Sequence, residues 1–346
     1  MSYVAGNPLT QQRDLLAGRA AVHLEDRGVV RVSGADRFKF LNNTLSQELL
    51  LLPAGESAEA LLLDAHGHIE QVLHLIGDSD AVWLITAANQ GAAVAGYLDR
   101  MTFRADVSVE NLSSEFAVYG GFSKVFAGVA RFAGVELIWR DPWPGVVDGG
   151  IRYAEEPVGL FWEYREALVK VSEEAQLAGA FEPAGDSALE ALRVAAHRPD
   201  QQTEVDAKAL PHEFDWLATA VHLKKGCYRG QETVAKVHNL GHPPRRLVFL
   251  HLDGSEVELP AAGAEVFVAG EPTARGLVTS VGQHYEAGPI ALALVARSVP
   301  EDAALEVAVA HSNLGRVAAT QEVIVPASAG KAANLEPLRK KGLLGK

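Results

Sequence analysis

Cysteine is almost missing from this chain: 346 residues contain one, Cys227. A lone cysteine excludes an internal disulfide and fits a reducing compartment. Long apolar runs are missing too, and nothing approaches the roughly 18 residues a membrane helix needs, so no membrane partner is expected. Met1 to Arg13 lacks the basic start and apolar run of a secretory signal, and the expected location is cytoplasmic. Positive charge is in deficit, at 31 Lys and Arg against 44 Asp and Glu, for a net charge of −13. That balance argues against a nucleic-acid partner, since binding one needs a basic surface to displace counterions. It leaves room for a small anionic ligand held by a local basic cluster. Internal repeats and low-complexity blocks are also absent.

What is present reads as globular. Hydrophobic residues make up 48% and charged residues 22%, and the length exceeds what one core serves, so two or three units are expected. Gly28 to Val32 reads as a strand. Ser33 and Asp36 then give an S-x-x-D capping signature for a helix with Phe38, Leu41, Leu45, Leu49 and Leu52 on one face, ended by Pro53 and Gly55. Strands are expected at Ala60–Leu63, Ile69–Ile76 and Ala81–Thr86, a helix at Ala88–Met101, and further strands around Val107, Val109, Phe116 and Val118. Asp141 to Gly150 is an irregular loop, Tyr164–Ala178 a polar helical region and Ser187–His197 a second helix. Helices among hairpin-connected strands give an α+β class. From Leu247 onward, short β runs at Leu247–Leu252, Ala264–Val268, Gly276–Val281, Ala291–Val295, Glu306–Val309 and Val317–Val325 suggest a small antiparallel barrel. The expected division is 1–243, a barrel at 244–326, and a mobile tail at 327–346.

The chemistry centres on Lys225-Gly226-Cys227-Tyr228-Arg229-Gly230-Gln231-Glu232. Lys225 and Arg229 put positive charge within two residues of the thiol. A helix expected at Glu232–His238 adds the favourable end of its dipole, and Gly226 and Gly230 let the backbone turn sharply. All three favour a thiolate, and the residues alone leave two readings open: an activated thiol or a packed, inert one. A zinc site from Cys227, His238 and His242 would hold one thiolate and lack a second C-x2-C element. His66 and His68 have no third ligand nearby, so no stably bound metal is expected. A Cys–His hydrolase would need a base and an oxyanion hole that spacing does not supply. Gly226 and Gly230 match neither phosphate-loop fingerprint.

That eight-residue stretch resembles the K-G-C-Y-x-G-Q-E signature of the YgfZ family, folate-binding relatives of the glycine-cleavage T-protein (aminomethyltransferase). Val32–Leu41 resembles the family's opening strand and helix, Asp64–Ile69 its D-x-x-G-x-I hairpin, and Leu210–Glu213 its L-P-x-E segment. Arg245-Arg246-Leu247 resembles the entry to its barrel, and Gly276–Ser280 its G-x-V-T-S strand. The resemblance spans residues 28 to 300. It implies a three-lobed ring of two ferredoxin-like α+β lobes and a barrel, with tetrahydrofolate near the centre. It also implies a role in iron–sulfur cluster assembly or repair, with assembly proteins or client enzymes as partners. On this reading Cys227 is the reactive or transiently ligating thiol, Lys225 stabilises it, and Tyr228, Gln231 and Glu232 shape the turn with Gly226 and Gly230. Arg245 or Arg246 would face the folate. Two departures weaken the alternative, an aminomethyltransferase or another tetrahydrofolate-dependent one-carbon enzyme. The turn Asn89-Gln90-Gly91 lacks the carboxylate used in methylene transfer, and Ala195 stands where a pterin-binding glutamate is expected.

Overall fold

The computed structural model describes residues 6–123, 125–127, 131–132, 135–155, 158–177, 179–254, 259–309 and 315–330. The chain starts with α1 (Pro8–Leu16) and β1 (Ala20–His23), then β2 (Gly28–Ser33), α2 (Arg37–Thr44), β3 (Ser57–Leu63), β4 (Ile69–Gly77), β5 (Ala81–Thr86), α3 (Gly91–Met101) and β6 (Ser108–Asn111). There follow β7 (Phe116–Phe122), a two-stranded hairpin of β8 (Arg131–Phe132) and β9 (Val135–Glu136), then β10 (Ile138–Arg140), β11 (Tyr164–Lys170) and β12 (Glu182–Pro183). Three helices come next: α4 (Asp186–Ala195), α5 (Gln201–Glu204) and α6 (Gln231–Leu240). The C-terminal strands are β13 (Arg245–Leu252), β14 (Glu265–Val268), β15 (Ala274–His284), β16 (Gly288–Ala296), β17 (Leu305–Ala308) and β18 (Arg316–Val323).

These strands make two five-stranded sheets, β3-β4-β5-β2-β6 and β10-β11-β7-β1-β12, and a closed barrel β13-β16-β15-β14-β17-β18. Every pairing in the barrel is antiparallel. The α+β class and the barrel therefore agree with the sequence reading. The tail expected after Pro326 lies outside the described residues from position 331 onward.

The two-residue period of a strand decides which side chains meet. On the first sheet Val30, Val32, Leu73, Leu75, Val82 and Leu84 cluster with Phe40 and Leu41 of α2 and Val94 and Leu98 of α3. Their neighbours Val29, Val72, Trp83 and Ile85 join a second cluster on the opposite face, with Trp139, Leu168, Trp216, Leu247 and Phe249. That second core therefore draws on both sheets and on the outside of the barrel. In β13 the alternation repeats: Leu247 and Phe249 belong to the shared core, Val248 and Leu250 to the barrel interior.

Two expected helices are corrected. The first ends at Thr44, and Leu45 is already extended. Its last residues, Asn42, Asn43 and Thr44, are weak helix formers. Ser46 then bonds elsewhere, accepting from the Leu61 N–H at 2.8 Å and donating to the Ala220 carbonyl at 2.6 Å. Asp36 does not cap the helix; its carboxylate accepts from the Asp106 N–H at 2.9 Å. Of the polar helical region expected at Tyr164–Ala178, Ala178 lies outside the described residues and Tyr164–Leu177 is no α-helix. Tyr164–Lys170 is a central strand between β10 and β7, followed by a 3-10 segment at Val171–Leu177. Strand neighbours on both sides override the helical preference of Glu, Ala, Leu and Lys there.

Candidate functional site

Lys225–Gly230 forms an irregular loop leading into α6, which begins at Gln231, and Cys227 is exposed on it. Lys225 fastens the loop to the chain after α2. Its buried ammonium donates to the carbonyls of Asn42 at 2.6 Å, Leu45 at 2.8 Å and Gln47 at 2.5 Å. Burial pulls it down to about 8, with Glu48 opposing. The same ammonium sits 5.4 Å from the centre of the buried Tyr228 ring, and burial pushes the Tyr228 hydroxyl upward. Lys225 is thus committed to backbone carbonyls and to the Tyr228 ring. Gln231 closes the loop from the helix side, donating to the carbonyls of Lys225 at 3.3 Å and Gly226 at 3.4 Å. Glu232 is exposed in the first turn of α6.

The two glycines differ. Gly230 is the N-cap of α6 with a φ of +81°, and an added Cβ would lie 2.6 Å from the Asp64 carbonyl and 2.9 Å from the Gly67 Cα. Gly226 faces open space. Cys227 lies three residues before the cap, outside the first turn in which a helix dipole acts. Asp64–His68 is thereby packed directly against the cysteine loop. The Asp64 carboxylate takes the backbone N–H groups of His66 and His68, and its lowered affinity for protons follows from these bonds outweighing burial. Arg229 completes the contact, reaching Glu70 on β4 at 3.0 Å and the Tyr97 hydroxyl at 3.2 Å.

Farther along β4, beyond a register shift in its pairing with β3, Val72 and His74 line a cavity of about 620 Å³ where the two sheets and the barrel meet. Aromatic walls come from Trp162, Tyr164 and Trp216, and the barrel contributes Thr279 to Gln283. Three arginines in the lining are paired within the protein. Arg27 reaches Asp200 at 3.1 Å and Arg193 reaches Glu204 at 3.0 Å; Arg198 holds Asp141 at 2.9 Å and Glu59 at 2.5 Å. Burial would raise the Asp200 carboxyl, but Arg27 and Arg193 outweigh it and hold it at about 2. The indole N–H of Trp216 is buried without a partner among the described residues, which marks a donor free for a ligand.

Neither Arg245 nor Arg246 is among the residues lining this cavity. Adjacent strand residues point to opposite sides. Arg245 grips Glu213 with two bonds, at 2.9 and 2.8 Å, and Asp206 at 2.5 Å. Arg246 is fully buried and donates to the Val299 carbonyl and to Gln321, both at 3.0 Å. The turn at Asn89 lacks a carboxylate of its own, but Asn89 adopts a φ of +53° and its N–H donates to the carbonyl of Asp26, a cavity residue. His238 shares a hydrogen bond with the Tyr153 hydroxyl, and His242 donates to the Ala329 carbonyl, so neither is turned to Cys227. Among the described residues no set of three His, Cys, Asp or Glu side chains is placed to hold a metal.

The sequence reading missed His74, Glu166, Arg27 and Trp216. One signal was visible: His74 interrupts an otherwise apolar strand, Val72-Leu73-His74-Leu75-Ile76. A polar ring in such a run needs a partner, and the partner, Glu166, lies 92 positions away.

No protein-family profile matches the chain. A chloroplastic protein of Arabidopsis thaliana is 26% identical over 253 residues, 68% of this chain and 56% of that protein, so the alignment spans little more than half of the relative. The mitochondrial iron–sulfur cluster assembly factor IBA57 homolog of Cryptococcus neoformans is 24% identical over 68% of this chain and 67% of its own length. The tRNA-modifying protein YgfZ of Yersinia enterocolitica is 26% identical over 71% of this chain and 74% of its own length. The glycine cleavage aminomethyltransferase of Bartonella henselae superposes with a TM-score of 0.72 over 93% of this chain and 89% of that one, at 18% identity, which establishes a shared fold. The relatives and the fold agree: the chain is similar in sequence to YgfZ and IBA57 proteins and shares the fold of an aminomethyltransferase.

Proposed function

We propose that this protein is a tetrahydrofolate-binding accessory factor for the assembly or repair of iron–sulfur clusters, acting through the Cys227 thiol. The observation that carries the reading is an exposed cysteine on a loop held rigid by Lys225, Gly230 and Arg229. The names of the fungal and bacterial relatives point the same way. A single thiolate suits transient ligation, because a stable cluster takes four cysteine ligands.

The central cavity fits a reduced pterin. Its volume falls among small-molecule sites, Trp162, Tyr164 and Trp216 supply aromatic wall, and Arg27, Arg193 and Arg198 are fixed by paired carboxylates. The Trp216 N–H offers a donor to a ring carbonyl, while Glu190 and Asp200 offer acceptors to ring N–H groups. Tetrahydrofolate supplies a carrier for one-carbon units when bound. The ligand-binding region on this reading is residues 1–243, with the barrel at 244–326 closing one side of the cavity. A lone thiol asks for a reducing compartment. Among the described residues no helix is long and apolar enough to cross a membrane.

In cells from which the gene is deleted, iron–sulfur enzymes should lose activity, and the wild-type chain should restore it. Unchanged activity in the deletion strain would sink the reading. The second reading, aminomethyl transfer, is favoured by 25% identity over 315 residues to an aminomethyltransferase of Corynebacterium jeikeium. Formation of methylene-tetrahydrofolate from an aminomethylated carrier protein separates the two. The accessory-factor reading expects no turnover, since the Asn89 turn carries no carboxylate.

A further inference from the structure

His74 has the surroundings of a working residue. Its Nδ1 lies 2.7 Å from Oε2 of Glu166. Its ring stacks on Trp139 with centres 3.6 Å apart and planes 4° from parallel, and the Trp139 N–H is itself fixed to the Ala58 carbonyl at 2.9 Å. Glu166 is fully buried, accepts from the Tyr164 hydroxyl at 3.3 Å, and has Arg27 3.6 Å away. Burial would raise the Glu166 carboxyl, but His74 and Arg27 outweigh it and hold it below the usual range. A carboxylate accepts and cannot donate, so Nδ1 carries the hydrogen, and in the neutral ring Nε2 is left with its lone pair. That atom has no partner among the described residues, and the ring lines the central cavity. A histidine kept for packing alone would not need a buried carboxylate, whose desolvation is expensive.

We propose that His74, oriented by Glu166, is the proton-accepting group of the cavity, and that its Nε2 takes a hydrogen bond, and then a proton, from an N–H or O–H of the ligand bound there. In that transfer the ligand's N–H or O–H bond breaks and its electron pair stays on the ligand. An Nε2–H bond forms, and Glu166 neutralises the resulting imidazolium. Nothing is oxidised. The ligand class is a nitrogen heterocycle with ring N–H groups, and its identity as tetrahydrofolate rests on the function proposed above. Glu166 acts through His74 and is a positioning residue.

The charged and titratable groups around His74 are few. Glu59 on β3 lies directly across the strand pair and is held by Arg198 and Thr219. Tyr164 and Glu166 face it from β11, Arg27 from the turn before β2 with Asp200 behind it, while Ile85 of β5 and Trp139 of β10 are uncharged.

The test is calorimetric titration with tetrahydrofolate, without oxygen, at pH 8. His74→Asn keeps a donor toward Glu166 but has no Nε2, and Glu166→Gln frees the ring to take the other tautomer. For wild type, saturable binding is expected. His74→Asn should bind about tenfold more weakly, as for one lost hydrogen bond, and Glu166→Gln, which keeps the ring, should weaken binding less. Equal affinity in wild type and His74→Asn would overturn the role of His74 while leaving the folate reading intact. No saturable heat with wild type would overturn the folate reading and the ligand named here. Should His74→Asn fail to fold, nitrogen NMR of the wild-type histidines decides. An Nδ1–H tautomer whose Nε2 signal moves on adding tetrahydrofolate is expected, and an Nε2–H tautomer would contradict the proposal.

Discussion

At the residue scale, Lys225 is the side chain whose role changed most between sequence and structure. Its charge near Cys227 read as support for a thiolate, yet three backbone carbonyls hold the ammonium. Lys225→Met should leave those carbonyls without their donor and lower stability by about 3 kcal/mol in thermal or urea unfolding, since charge-assisted bonds contribute about 1.5–3 kcal/mol each and do not add fully. A loss below about 0.5 kcal/mol would contradict the anchoring role. Asp215 gives a pH prediction. It is fully buried with a φ of +61°, and burial pushes its carboxyl up to about 7, against the opposing Tyr153 N–H and Arg152. A raised folded value means the native state holds the proton more tightly than the unfolded chain. The associated stability is therefore complete below about pH 4, the ordinary carboxyl range, and is lost as pH rises through about 7. Asp215→Asn cannot ionise and tolerates a left-handed backbone. Urea midpoints of this variant should gain on wild type steadily from pH 4 to pH 7, and a constant difference would refute the assignment. None of this was readable in sequence, because Asp215 follows an unremarkable Phe214 and its burial depends on Arg152 and Tyr153.

At the scale of elements, the strands of the first sheet and of the barrel were legible because their apolar runs end at glycine, proline and aspartate turns. Tyr164–Lys170 was not legible. Its composition suits a helix, and only the pairing with β7 and β10 makes it a strand. The D-x-x-G turn and the cysteine loop could be read separately, but not their contact. Gly230 and Gly67 carry that contact, both at positive φ and each within the other's reach. Gly230→Ala adds a Cβ where the Asp64 carbonyl stands and also pays for a left-handed alanine. It should destabilise the protein by about 2 kcal/mol or more and speed protease cleavage in the loop. Gly226→Ala meets nothing and should change stability by less than about 0.5 kcal/mol. If both substitutions behaved alike, the packing of loop against turn would be wrong.

At the scale of the molecule, two sheets and a barrel contribute to a shared core and line a common cavity, and polar contacts tie them together across it. Arg193 on α4 bonds Glu190 and Glu204 and reaches Ser280 of the barrel at 2.6 Å. Arg193→Met would strand Glu204, which is almost fully buried, and should cost about 3–5 kcal/mol in urea unfolding. A near-neutral result would mean the barrel is held by apolar packing alone. The cavity itself could not be read from sequence, since Arg27, His74, Glu166, Arg193 and Trp216 come together only after three units have docked. The cysteine loop could be, because its residues are contiguous. The central claim is that the exposed thiol of Cys227 performs the protein's work, and complementation tests it most directly. In cells lacking the gene, Cys227→Ala produced at the wild-type level should leave iron–sulfur enzyme activity where the deletion leaves it. Full restoration of that activity by Cys227→Ala would contradict the account.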